Sequence, residues 1–154
     1  MMSVLVPLAM LIVYLAPTAV TAQTVATQEI TPEMVRTEKK EIVARNLPLT
    51  AQEAQRFWPV YEAYQRQLQE CNARMTRLIE DYTHHYDSLS NEHAQRLVDE
   101  FVAVNEERAQ LQRAYLPKFE QVVSAVKVVR YYQIEHKLYA LVEYEVATII
   151  PMMK

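Results

Sequence analysis

No glycine occurs anywhere in the 154 residues of this chain. A phosphate-cradling loop or a dinucleotide-binding turn needs glycine for close backbone approach and positive φ, so neither is expected here. Tight two-residue hairpins lean on glycine as well, which counts against a β-rich fold. Helices joined by corners of Asn, Asp, Ser and Pro need none. Cysteine is nearly absent too. Cys71 stands alone, which rules out an intramolecular disulfide, a CxxC redox pair and a CxxCH haem site. There is no basic surplus: 16 Lys and Arg face 19 Asp and Glu, a formal charge of −3. That balance gives no electrostatic reason to expect nucleic acid as a partner. The expected fold class is all-α.

The first 22 residues carry no charged side chain, and Val4 to Val20 is an apolar stretch ending Val20-Thr21-Ala22 before Gln23. Small residues at the last and third-last positions before a polar junction read as a secretory cleavage site, with Gln23 starting the mature chain. The expectation is a signal peptide over 1–22, periplasmic export, and no stable membrane insertion after cleavage. An uncleaved anchor is the alternative, because the n-region lacks Lys and Arg. Pro7, Pro17 and the short apolar length argue against it. Residues 23–30 read as a flexible lead, and 31–151 as a single helical domain.

One motif occurs twice. Leu49-Thr50-Ala51-Gln52-Glu53-Ala54-Gln55-Arg56 returns forty residues later as Leu89-Ser90-Asn91-Glu92-His93-Ala94-Gln95-Arg96. A hydroxyl residue before an apolar helical pattern is suited to an N-cap. Glu53 completes a capping box with Thr50. His93 stands at the matching position of the second copy, so that box is incomplete, while Glu92 suits the positive end of the helix dipole. Leu49, Thr50, Glu53, Leu89 and Ser90 are therefore read as the marks of two helix starts.

Thr31-Pro32-Glu33 marks an earlier start: a hydroxyl cap, proline at the first helical position, and an acid in the first turn. That helix is expected to end near Asn46, and its few apolar residues (Met34, Val35, Ile42, Val43) require a partner surface. From Ala54 the apolar spacing alternates 3 and 4 through Phe57, Tyr61, Tyr64, Leu68, Cys71, Met75, Leu78 and Tyr82. A period of about 3.5 on one face marks a coiled-coil-like seam. The helix is expected over 51–86, with Pro59 kinking it. After the corner Asp87-Ser88-Leu89-Ser90 a second seam follows, with Ala94, Leu97, Phe101, Val104, Leu111 and Tyr115, and with Arg108 breaking the register. Pro117 is expected to end or kink this arm. The last helix is assigned Phe119, Val122, Val126, Val129, Tyr132, Leu138, Leu141 and Val142, and closes before Ile149-Ile150-Pro151. The architecture expected is a long antiparallel hairpin, bent by prolines, with flanking N- and C-terminal helices.

Two groups of residues invite a functional reading. His84, His85 and His93 gather at the hairpin corner with Asp81, Asp87 and Glu92, and Asp81 and His85 stand at i,i+4, a spacing that can chelate a metal. A hydrophilic helix tip in water explains the same residues, and that reading is preferred. No residue is assigned as metal ligand, cofactor binder or catalyst, and no enzyme is expected. Phe57, Trp58 and Tyr61 are candidate client-binding residues, since such side chains can grip apolar segments of another protein. Core packing of the same residues is the preferred alternative.

The two Leu-Thr/Ser helix starts, preceded by an apolar leader and set in a small helical domain, resemble the Spy/CpxP family of bacterial periplasmic proteins. Both copies depart from its Leu-Thr-x-x-Gln pattern, with Glu53 and His93 at the fifth position. The block from Leu49 through Phe57-Trp58-Pro59-Val60-Tyr61, together with Tyr132-Gln133-Ile134-Glu135-His136-Lys137, is similar to an uncharacterised branch. The resemblance implies a bent helical hairpin, often paired into a cradle-shaped homodimer. It also implies one of three roles: an ATP-independent chaperone for unfolded or exposed envelope proteins, a regulatory partner of a membrane sensor, or a metal-responsive protein.

Overall fold

The computed structural model describes the backbone of residues 32–152 and the side chains of residues 37–152. The expected signal peptide (1–22) and lead (23–30) lie outside the described residues. Four helices and no strand occur among those described: α1 (Pro32–Asn46), α2 (Ala51–His85), α3 (Asn91–Glu120) and α4 (Ala125–Ile149). The chain is all-α. None of the described helices is long and apolar enough to cross a membrane.

Helix α1 begins at Pro32, where a missing N–H costs nothing. It ends as the Asn46 amide donates to the Ile42 carbonyl and the Leu47 N–H to that of Val43, both at 2.8 Å. Pro48 then forbids continuation, since the residue before a proline is pushed out of the helical region. Val43 and Leu47 are fully buried. They join the buried cluster of α2, α3 and α4, which is the partner surface that the thin apolar content of α1 requires.

Helix α2 runs unbroken through Pro59. Gln55 and Pro59 are both exposed, so the carbonyl that loses its donor belongs to the watered face, where solvent can satisfy it. The seam is buried through Phe57, Tyr61, Tyr64, Leu68 and Cys71, then opens to half-buried Met75, Leu78 and Tyr82. Helix α3 opposes it in antiparallel sense. Gln67 meets Tyr115, Arg74 clamps Glu100 and Glu107, and Asp81 meets His93, so partners on α3 fall in number as those on α2 rise.

Two expectations about the second half need correction. Pro117 does not end α3, which continues to Glu120, so Phe119 belongs to α3 and Val122 to the corner that follows. Burial of Tyr115 and Phe119 on either side of Pro117 holds the last turn in place. Helix α4 then starts at Ala125 and buries Val128, Tyr131 and Glu135. Val126 and Val129, counted among the apolar residues of this helix, are 79% and 59% exposed. Phe101, expected in the α3 seam, is 52% exposed.

The core is aromatic. Phe57, Tyr64, Phe119 and Tyr131 interlock, with the Phe119 and Tyr131 rings 4.7 Å apart and Phe57 5.5 Å from Phe119. Each such ring contributes roughly 1.5–3 kcal/mol by burial alone, and edge-on contacts between rings add to this.

Candidate functional site

The repeated helix starts act as caps, but the two copies use their third helical residue differently. In the first, Thr50 Oγ1 accepts from the Glu53 N–H (3.2 Å), and the Thr50 N–H donates to Glu53 Oε2 (2.8 Å). Glu53 also accepts from Lys127 Nζ at 2.6 Å, tying α2 to α4. That contact, with the Thr50 amide, holds the Glu53 carboxyl at about 2, well below its ordinary 4.5. In the second copy Ser90 Oγ accepts from the His93 N–H (3.2 Å), while the His93 ring turns away across the corner. Leu49 and Leu89 are half-buried beside the caps.

Phe57 and Tyr61 are 0% and 1% exposed. As placed, neither reaches a client, and the candidate binding role is corrected for both: their seam register turns them into the core. Trp58 is half-buried on the rim, edge-on to Phe57 at 5.2 Å and under Lys40 Nζ at 5.3 Å. Burial, reinforced by the Glu135 carboxylate, pushes the phenols of Tyr61 and Tyr131 up. Burial likewise raises the Cys71 thiol, leaving little of the reactive thiolate.

A polar knot joins α1, α2 and α4, and the sequence reading did not anticipate it. Lys39 Nζ lies 2.7 Å from Glu135 Oε2 and donates to Gln65 Oε1 at 2.9 Å. Gln65 Nε2 donates to Glu135 Oε1 at 3.0 Å and to the Tyr131 hydroxyl at 3.3 Å. Glu135 is only 6% exposed. Its place in a half-charged helical run gives no sign of this; the only available signal is a Glu at i+4 from the core residue Tyr131.

At the α2–α3 corner, Asp81 Oδ1 is 2.9 Å from His85 Nδ1 and Asp81 Oδ2 is 2.9 Å from His93 Nε2. The His93 contact holds the Asp81 carboxyl below the usual carboxylate range. His84 is exposed and takes no part; its Nδ1 lies 2.6 Å from the Glu80 carbonyl of its own helix. Asp81 and His93 line an open cavity of about 470 Å³ between α2 and α3, with Arg74, Arg77, Arg96 and Glu100 around it.

On the other side of Leu78 and Leu97 lies an apolar groove of about 350 Å³, bounded by α2, α3 and the end of α4. Met75, Ile79, Tyr82, Val98, Phe101 and Ile150 line it. Its α4 wall is held by the Tyr82 hydroxyl, which donates to the Pro151 carbonyl at 2.7 Å. Phe101 and Val98 explain why the α3 seam leaves apolar surface in water. They face the groove and not the core.

No family model matches this sequence, and neither the curated proteins nor the solved structures yield a match to it.

Proposed function

We propose that this chain is a periplasmic, nucleotide-independent binding protein of the Spy/CpxP type that shields unfolded or exposed segments of envelope proteins. The observation that carries this reading is the apolar groove between α2, α3 and α4, with half-exposed Phe101 and Val98 on its wall. Contiguous apolar surface left in water on a small helical domain marks a site for an apolar partner. The segment contacted would be short and extended or helical, presenting aliphatic or aromatic side chains. Glu143 on the rim favours a flanking basic residue. The apolar leader supports the export assigned to the chain. The client contacts proposed from Phe57 and Tyr61 move to this groove. No catalytic residue enters the reading.

Aggregation suppression tests it. The purified chain is mixed with a chemically denatured client without ATP, and light scattering is followed across a range of ratios. Suppression near stoichiometric amounts, weakened by Phe101→Ser, is the expected result. No suppression at several-fold excess, or suppression indifferent to Phe101→Ser, would overturn the assignment to the groove.

A further inference from the structure

The α2–α3 corner brings two imidazoles and a carboxylate from two helices to one point, and their placement follows from the sequence. Asp81 and His85 stand one turn apart on α2, so their side chains share a face. His93 comes from the first turn of α3. A Glu there would fold back to its own cap, as Glu53 does. An imidazole at the same position is instead turned outward, across the corner, to Asp81. The departure of the second motif from the capping box thus creates the third member of the group.

We propose that Asp81, His85 and His93 form a binding site for a divalent transition-metal cation of the zinc type. One ligand atom from each of the three residues lies within 4.8 Å of the others. Zinc–nitrogen and zinc–oxygen bonds of about 2.0–2.2 Å in tetrahedral array set ligand atoms roughly 3.3–3.5 Å apart. The two Asp81 contacts, at 2.9 Å each, need to open by less than about 1 Å to admit the ion. The ion would then occupy the place of the protons that these contacts share. His85 Nδ1 would give up its 2.9 Å approach to the Asp81 carbonyl.

The donor set selects the metal. Two imidazoles and one carboxylate suit zinc, copper or nickel, whereas calcium and magnesium prefer all-oxygen shells. Three protein ligands leave a position open, and the open cavity beside Asp81 and His93 supplies room for a water or a small anion. The neighbouring Arg74 is already neutralised by Glu100 and Glu107. His84, one residue from His85, points its Nδ1 at the Glu80 carbonyl and contributes nothing. Bound metal would cross-link α2 to α3 at the end farthest from the aromatic core.

The site is separate from the apolar groove, so its test is independent of the client-binding reading. The full chain is titrated with zinc chloride by calorimetry, with calcium chloride as the control cation. One zinc per chain with a Kd tighter than about 10 μM is expected, and no calcium binding. His85→Ala, His93→Ala and Asp81→Asn should each weaken zinc at least about tenfold, and His84→Ala by less than about twofold. His93→Cys, which restores a zinc ligand as thiolate, should retain binding that His93→Ala loses. Far-UV dichroism of each variant verifies that the helices persist, which is expected because all three side chains are partly exposed. Zinc binding weaker than about 10 μM, or His84→Ala as damaging as His85→Ala, overturns the proposal.

Discussion

Glu53 and Lys127 meet at 2.6 Å while Glu53 simultaneously closes the capping box of α2, so one carboxylate serves a helix terminus and an interhelical contact together. Its carboxyl is held at about 2 against an ordinary 4.5. A depressed folded-state value stabilises the fold above the unfolded value and is lost as pH falls through the folded one. The Glu53 contribution is therefore fully present above about pH 4.5 and disappears toward pH 2. Glu53→Gln should lower the melting temperature at pH 7, and the gap to the parent chain should close as thermal melts are taken from pH 5 down to pH 2.

Two tyrosines in one core give opposite predictions. Among the described residues the Tyr61 hydroxyl is buried without a hydrogen-bond partner, whereas that of Tyr131 accepts from Gln65. Removing an unsatisfied buried hydroxyl relieves a desolvation cost, while removing a bonded one costs about 1 kcal/mol. Tyr61→Phe should leave stability unchanged or raise it, and Tyr131→Phe should lower it by about 1 kcal/mol. Urea unfolding midpoints compare the two directly.

The Lys39–Glu135 pair should behave as a buried pair does when one partner is removed. Lys39→Met strands a carboxylate that is 6% exposed, and a loss of about 3 kcal/mol is expected. Adding Glu135→Gln to Lys39→Met should recover much of it, because the uncompensated charge is gone while Gln65 keeps an amide partner. A double-mutant cycle in denaturant measures the recovery.

Phe101→Ser should separate surface from core. The ring is half in water, so the stability change should stay within about 0.5 kcal/mol. Binding of an environment-sensitive apolar dye should fall by comparison with the parent chain. A large loss of stability would instead place Phe101 among the core residues.

Much of the fold is legible in the sequence because local chemistry determines it. Helix α1 spans Pro32–Asn46, as proline at its first position and Leu47-Pro48 beyond its end imply, Thr50 and Ser90 cap α2 and α3, and the 3,4 spacing from Phe57 to Cys71 names the buried face. Helix α4 is different. Val126, Val128 and Val129, then Leu138, Leu141 and Val142, place apolar residues nearly all round it, so periodicity cannot choose a face. Its rotation follows Tyr131 and Glu135, whose partners Gln65 and Lys39 are distant in the chain. The corner site is legible by half for the same reason. Asp81 and His85 declare their shared face by spacing, but His93 joins them only through the antiparallel packing of α2 on α3.

The single tryptophan of the chain sits where α1 meets α2, with Lys40 over its face and Phe57 and Tyr61 at its edges. From Trp58 to His85 the helix advances about 40 Å. The protein thus contains its own optical reporter, one that senses the aromatic core and is blind to events at the corner. Emission that shifts when α1 undocks, and stays constant when an ion or a client arrives at the far end, distinguishes collapse of the scaffold from a change confined to its tip.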